Sequence, residues 1–133
     1  MTTTDLLDDP LVRAFEAARI DAATFRHREH LYVAWCYLRE LPFEDASARY
    51  VRQLRQLTHA LGAPQKFHAT LTWAYLVLLH EAMERSPAAG FDMLMAQNPA
   101  LLDHRTGAVS ALYGRAVLDS EEARRRFVLP GRA

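Results

Sequence analysis

The stretch FRHREHLYVAW, from Phe25 to Trp35, predicts the start of a buried helix. His27 and His30 are three positions apart, and three α-helical residues turn by about 300° and rise by about 4.5 Å. The two histidines therefore share one face of the helix. Apolar residues continue that face, namely Leu31, Ala34 and Leu38. The pattern predicts an amphipathic helix with two inward histidines near its first turn.

Apolar residues with a period near 3.6 continue on both sides of this stretch and predict four main helices. Their predicted bounds are Pro10 to about Ile20, a cap at Asp21 or Thr24 to Leu41, Pro42 to Gly62, and Pro64 to Ser86. Shorter segments are predicted near Phe91–Ala96, around Val109–Val117, and after a cap at Asp119 or Ser120. Short connections make consecutive helices antiparallel neighbours. We therefore expect an all-α fold: one domain over residues 1–133, an up-down bundle of four main helices with additional short C-terminal helices.

Composition restricts the class of protein. The chain has 133 residues, and its 16 basic residues balance 16 acidic ones, which argues against a nucleic-acid partner. The single cysteine, Cys36, excludes an internal disulfide and fits a reducing compartment. No secretory signal is recognisable, and no apolar run approaches the roughly 20 residues of a membrane span. The sequence predicts a soluble, cytoplasmic protein without a membrane partner.

A second stretch, QKFHATLTWAYL from Gln65, places His68 in front of its own apolar run. In an up-down bundle, helices two and four are parallel, and their N-termini lie at the same end. His27, His30 and His68 are then predicted at one level, pointing inward. Three protein ligands with an open fourth position are typical of a catalytic zinc site, and imidazole also binds iron. The sequence predicts a divalent metal, with zinc or iron preferred.

Three interpretations of this site stay open. The first is a small metalloenzyme, whose metal would polarise a substrate oxygen or activate water in a hydrolase, lyase or oxygenase reaction. No catalytic residue can be named. The second is a metal-free module that binds a small anionic molecule. The third is an accessory or dimerising helical protein, with a homodimer as the predicted assembly. Its histidines would be structural, because buried polar groups are normally hydrogen-bonded.

The predicted ligand is a small anion. Two helix N-termini meet at the predicted site, and helix dipoles favour negative charge there. Basic, hydroxyl and aromatic side chains around the histidines are the predicted substrate-binding residues: Arg28, Lys66, Thr72, Tyr75 and Tyr113.

The same stretches resemble a group of small bacterial proteins of unsettled function. Three motifs carry the resemblance: Phe-x-His-x-x-His leading into Ala-Trp and a leucine, lysine-aromatic-His-x-Thr-x-Thr, and Ser-x-x-Ala-Arg followed by Phe-Val and Pro. The matching residues are Phe25, His27, His30, Ala34, Trp35, Leu38, Lys66, Phe67, His68, Thr70, Thr72, Ser120, Ala123, Arg124, Phe127, Val128 and Pro130. The resemblance implies a shared helical fold and a shared histidine site, and it brings no established reaction. The group has glutamate where this chain has Ala69. A catalytic role of that glutamate would be lost or changed here.

Overall fold

The computed structural model of the protein describes residues 5–104 and 107–131. This part of the chain contains helices and turns and no β-strand, which confirms the all-α prediction. Its α-helices are α1 (Pro10–Glu16), α2 (His27–Glu40), α3 (Phe43–Ala60), α4 (Ala69–Arg85), α5 (Phe91–Gln97), α6 (Arg115–Leu118) and α7 (Glu121–Arg125). Short 3-10 turns lie at Leu6–Asp8, Pro64–Lys66 and Pro99–Leu101. None of the described helices is both long and apolar enough to cross a membrane.

The chain forms two compact units, the first ending at Lys66 and the second beginning at Phe67. In the first unit, α2 packs against both α1 and α3. Only Leu41 and Pro42 connect α2 to α3, so these two helices form an antiparallel hairpin. The predicted up-down order of four helices also involves α4, which belongs to the second unit. That order and the single-domain organisation stay predictions.

Helix α1 ends at Glu16, whereas the sequence predicts an end near Ile20. Ala18 has a φ of 55°, in the left-handed region, and thereby stops the helix. The amide of Arg19 then donates to the carbonyl oxygen of Ala14 at 2.9 Å, closing the last turn. This is the usual helix-ending geometry, but glycine normally occupies its left-handed position. Because Ala18 is an alanine, the sequence does not indicate that the helix ends here.

Helix α2 begins at His27, later than predicted. Arg26 is its N-cap with an extended backbone, and the carboxylate of Glu29 accepts a hydrogen bond from the Arg26 amide at 2.9 Å. The predicted caps belong to a separate turn, in which the Thr24 hydroxyl donates to the carbonyl oxygen of Asp21 at 3.1 Å. The Glu29 side chain, at the third helical position, reaches back to the Arg26 amide. It therefore caps the helix in place of Asp21 or Thr24.

Helix α4 begins at Ala69, whereas the sequence predicts a start at Pro64. The intervening residues Pro64–Lys66 form a 3-10 turn, and His68 is the N-cap of α4 with an extended backbone. The imidazole therefore stands at the entrance of the helix and does not belong to its inward stripe. The later start of α4 therefore changes which groups the His68 imidazole can contact.

Each unit has its own apolar core. In the first unit, the ring of Phe15 lies 5.3 Å from that of Tyr50, 5.8 Å from that of Phe25 and 6.1 Å from that of Tyr37, measured between centroids. Offset and edge-on aromatic pairs at these distances are favourable. In the second unit, a buried cluster is surrounded by partly buried apolar side chains of α4 and α6. Its buried members are Ala74, Val109 and Tyr113.

Candidate functional site

His68 uses both of its ring nitrogens inside the second unit. Nδ1 accepts a hydrogen bond from the backbone amide of Leu71 at 3.1 Å, so this nitrogen carries no proton. Nε2 therefore carries the proton of the neutral ring and donates to the carbonyl oxygen of Leu118 at 2.7 Å. The side chain is buried, with 8% of its surface exposed. No ring lone pair remains for a metal ion.

The predicted metalloenzyme with His27, His30 and His68 as ligands is wrong. Within residues 5–104 and 107–131, no group of three or more histidine, cysteine, aspartate or glutamate side chains could hold a metal ion. His27 and His30 lie in the first unit, and His68 lies in the second. The physical reason is the position of His68 before the first turn of α4, where its ring folds back to cap that helix.

Two hydroxyl groups bind the segment that follows α7. Thr70 donates to the carbonyl oxygen of Arg126 at 2.9 Å and accepts from the amide of Val128 at 3.1 Å. Tyr113 donates to the carbonyl oxygen of Val128 at 2.6 Å. Thr70 is fully buried, and Tyr113 and Val128 are nearly so. Tyr113 was predicted to bind substrate; its hydroxyl group donates to the chain itself, and substrate binding at Tyr113 stays a prediction.

The other predicted substrate-binding residues lie in different settings. Arg28 and Lys66 are exposed and belong to the first unit. The hydroxyl of Thr72 donates to the carbonyl oxygen of His68, one turn back, at 2.7 Å. Tyr75 is partly buried, and burial, with the nearby charge of Asp103, raises its pKa to about 12. Binding of an anion at these residues stays a prediction.

His30 is a neutral, partly buried histidine in the first turn of α2. Its ring lies 4.2 Å from the ring of Phe25, and its Nδ1 lies 3.4 Å from the hydroxyl of Tyr50. Burial and the charge of His27 lower the pKa of His30 to about 4, while the charge of Glu29 acts in the opposite direction. Near neutral pH, His30 is therefore an uncharged aromatic side chain in contact with the core.

Two carboxylates of the first unit accept hydrogen bonds from tyrosines of α2. Asp9 caps α1 through the amide of Leu11 at 2.8 Å, as its position before Pro10 predicts. The second carboxylate oxygen of Asp9 accepts from the Tyr32 hydroxyl at 2.6 Å. Glu16 accepts from the Tyr37 hydroxyl, also at 2.6 Å. Sequence reasoning missed both pairs, because each joins residues more than 20 positions apart.

Arg49 of α3 completes the contact at Glu16. Its guanidinium group lies 2.6 Å from the Glu16 carboxylate and 5.5 Å from the centre of the Tyr37 ring. A charged pair next to an aromatic face fixes the relative position of the helices that carry it. Glu16, Tyr37 and Arg49 therefore connect α1, α2 and α3.

Cys36 is an unreactive thiol. It is fully buried, and burial raises its pKa to about 12, with the charges of Asp9 and Glu40 adding to the effect. The thiolate is the nucleophilic form of cysteine, and it is scarce at neutral pH when the pKa is this high. Cys36 therefore contributes packing to the first unit.

The third motif also has a structural contact. The hydroxyl of Ser120 accepts a hydrogen bond from the amide of Ala123 at 3.1 Å and caps α7, so Ser120 is the cap of the two that the sequence leaves open, Asp119 and Ser120. The hydrogen bonds of His68, Thr70, Thr72 and Ser120 thus lie within the second unit, whereas Lys66 of the second motif belongs to the first unit. Comparison with known proteins finds no matching family model, no matching curated protein and no matching solved structure.

Proposed function

We propose that this chain is a metal-independent helical binding module in which the histidine of the second motif maintains the fold. The observation that carries the proposal is the pair of hydrogen bonds made by His68, to Leu71 and to Leu118. A metal ion on this ring would displace one of them. Leaving a buried donor or acceptor without a partner costs about 1–3 kcal/mol.

The hydroxyl groups near this histidine support the same interpretation. Thr70 and Tyr113 hold the segment containing Arg126 and Val128, so the second and third motifs are joined by hydrogen bonds. The Thr70 hydroxyl donates its proton to the carbonyl oxygen of Arg126, and the Tyr113 hydroxyl donates its proton to that of Val128, so neither proton is directed at a substrate. We extend the proposal to the small bacterial proteins that share the motifs, in which the same contacts would form.

The distribution of exposed apolar side chains favours binding. Six large apolar side chains are exposed among the described residues, and five of them lie in the second unit. These five are Val77, Met93, Leu112, Phe127 and Leu129. Single exposed apolar residues are ordinary, and a partner surface needs several of them close together. The second unit has more of them than the first, so we place the partner surface there.

The proposal is tested on protein purified without a histidine tag. We expect no stoichiometric metal by elemental analysis, and the same melting midpoint in excess zinc, in ferrous iron and in EDTA. His68→Ala should lower that midpoint equally in all three conditions, because it removes two buried hydrogen bonds. His59→Ala, at an exposed position near the end of α3, is the matched control and should change little. One tightly bound metal ion per chain, lost in the His68 variant, would contradict the proposal.

A further inference from the structure

The segment after α7 leaves the helix with an extended backbone at Arg126, and one of its edges is hydrogen-bonded. Arg126 has a φ of −142° and a ψ of 161°. The carbonyl oxygen of Arg126 and the amide of Val128 both contact the Thr70 hydroxyl, and the carbonyl oxygen of Val128 accepts from Tyr113. Val128 is also the buried residue of the segment. Its side chain and both of its backbone polar groups are therefore used within the second unit.

The neighbours of Val128 have the opposite orientation. In an extended chain, the amide and carbonyl of one residue point to the same edge, and those of the next residue point to the other edge. The backbone groups of Phe127 and Leu129 therefore point away from Thr70. The side chains of Phe127 and Leu129 lie on the opposite face of the segment from that of Val128. They are exposed, by 38% for Phe127 and 54% for Leu129.

The outward edge is consequently accessible to a second strand. One contact on this edge comes from the chain itself: the Arg126 guanidinium group donates to the carbonyl oxygen of Phe127 at 3.3 Å, at an exposed position. A hydrogen bond of that length in solvent is readily exchanged for a better one. Unpaired strand edges flanked by apolar side chains are the sites at which extended peptides add to a protein.

We propose that Phe127–Leu129 is a strand-pairing site for an extended acidic peptide of a partner protein, an inference that rests on the proposed binding function. Backbone hydrogen bonds to Phe127 and Leu129 would hold the peptide. Its apolar residues, at alternate positions, would cover the two exposed side chains. Arg125 is exposed and lies just before this edge, whereas the Arg126 guanidinium group pairs with the Glu122 carboxylate. The charge of Arg125 is complemented by a carboxylate beside the apolar residues of the peptide.

A second copy of the chain fits this edge less well. Two side chains per chain bury far less than the roughly 1,000 Å² of a stable protein interface. Pairing of two copies would also bring two arginine-rich segments together. A peptide avoids both problems, because short extended ligands bind through few residues and can carry the opposite charge.

The test is selection from a phage-displayed library of random peptides against the full chain. We expect enriched peptides with alternating apolar residues and neighbouring carboxylates. Their Kd should rise by about tenfold or more in Phe127→Lys and in Leu129→Pro. The proline variant removes an outward amide and leaves an apolar residue, so it tests strand pairing separately from apolar contact. Far-UV circular dichroism melting checks that each variant is folded.

Leu61→Lys is the matched control, because Leu61 is apolar, 44% exposed and located in the first unit. It should leave peptide binding unchanged. Enriched peptides that bind all three variants equally would overturn the strand-pairing site and leave the binding module intact. A selection without enrichment would also overturn the site, and the metal and melting experiments on His68 test the metal-independent role of that histidine separately.

Discussion

The backbone amide of Val128 donates a hydrogen bond to the hydroxyl oxygen of Thr70 at 3.1 Å, across 58 positions of the chain. The same hydroxyl donates to the carbonyl oxygen of Arg126 at 2.9 Å. One fully buried side chain thus fixes two backbone groups of the segment that follows α7. The second unit depends on this threonine to hold its C-terminal segment in place.

Thr70→Val should therefore destabilise the second unit by about 1–3 kcal/mol, since it keeps the shape of the side chain and removes its polar atom. Thr70→Ser keeps the hydroxyl and loses one methyl group, so it should cost less. Urea unfolding followed by circular dichroism gives both free energies, and hydrogen exchange at the Val128 amide reports the local contact. Equal exchange in the valine variant and the wild type would show that this bond is unimportant.

The first unit should lose stability as the pH falls from about 6.5 to about 4. Burial, together with the charge of His27, lowers the pKa of His30 to about 4, whereas the unfolded chain has a value near 6.5. Between these values the unfolded chain binds more protons, so the free energy of unfolding rises with pH. One pKa unit corresponds to about 1.4 kcal/mol, which gives about 3 kcal/mol at most.

The pH dependence is measured by urea unfolding at a series of pH values. His30→Gln should flatten the change in unfolding free energy across this interval, whatever its effect on absolute stability. His59→Gln removes an exposed histidine and should keep the wild-type slope. If the unfolding free energy of the His30 variant changes with pH as in the wild type, groups other than His30 cause the acid sensitivity.

Ala18→Gly should stabilise the first unit by about 1 kcal/mol. Ala18 has a φ of 55° at the end of α1, and a left-handed backbone costs a residue with a Cβ roughly 1–2 kcal/mol. Glycine removes that strain but gives the unfolded chain more conformational freedom, so part of the gain is lost. Thermal melting measures the net effect.

Gly62→Ala is the reciprocal substitution. Gly62 ends α3 with a φ of 72°, and alanine there should lower the melting midpoint. A Cβ at Gly62 would meet no atom within 4 Å, so strain of the backbone is the cause of the expected loss. Midpoints that move in the same direction for both substitutions would refute the backbone argument.

Gly107→Ala should destabilise the second unit by about 1–3 kcal/mol or more. A Cβ at this position would overlap the backbone carbonyl oxygens of Ala100 and Asp103. Backbone atoms cannot move aside as a flexible side chain can, so the loop itself would have to shift. Gly114→Ala is the control, since a Cβ there would meet nothing within 4 Å. The melting midpoints of the two variants are compared with that of the wild type. A loss in Gly107→Ala alone is due to overlap of the new Cβ with backbone oxygens, whereas an equal loss in both would be a general effect of replacing glycine.

Local signals in the sequence correctly predicted several helix ends. Asp9 caps α1, Ser120 (one of two predicted caps) caps α7, and Gly62 follows the end of α3, as their positions before or after apolar stripes predict. Each of these residues acts on backbone groups no more than about four positions away. The residue type and its spacing are therefore sufficient, and no knowledge of the rest of the fold is needed.

Local signals failed where two structures compete for the same segment. Pro64 can begin a helix, and here it begins a 3-10 turn that leaves His68 to cap α4. Ala18 has no tendency toward a left-handed backbone, yet it adopts one at the end of α1. The packing of each unit decides these cases, and a pattern of apolar residues does not contain that information.

The sequence by itself determined that the chain is helical and that histidines stand at the beginnings of two apolar stretches. Only the tertiary structure decided what His68 and Thr70 bind: Leu118, 50 positions from the histidine, and Val128, 58 positions from the threonine. Their partners in these contacts are backbone groups. Every residue other than proline carries the same amide and carbonyl, so no side-chain pattern marks the carbonyl or amide that will be bound. Folding brings those groups within hydrogen-bond distance, and the histidine predicted to bind metal becomes a support for the backbone.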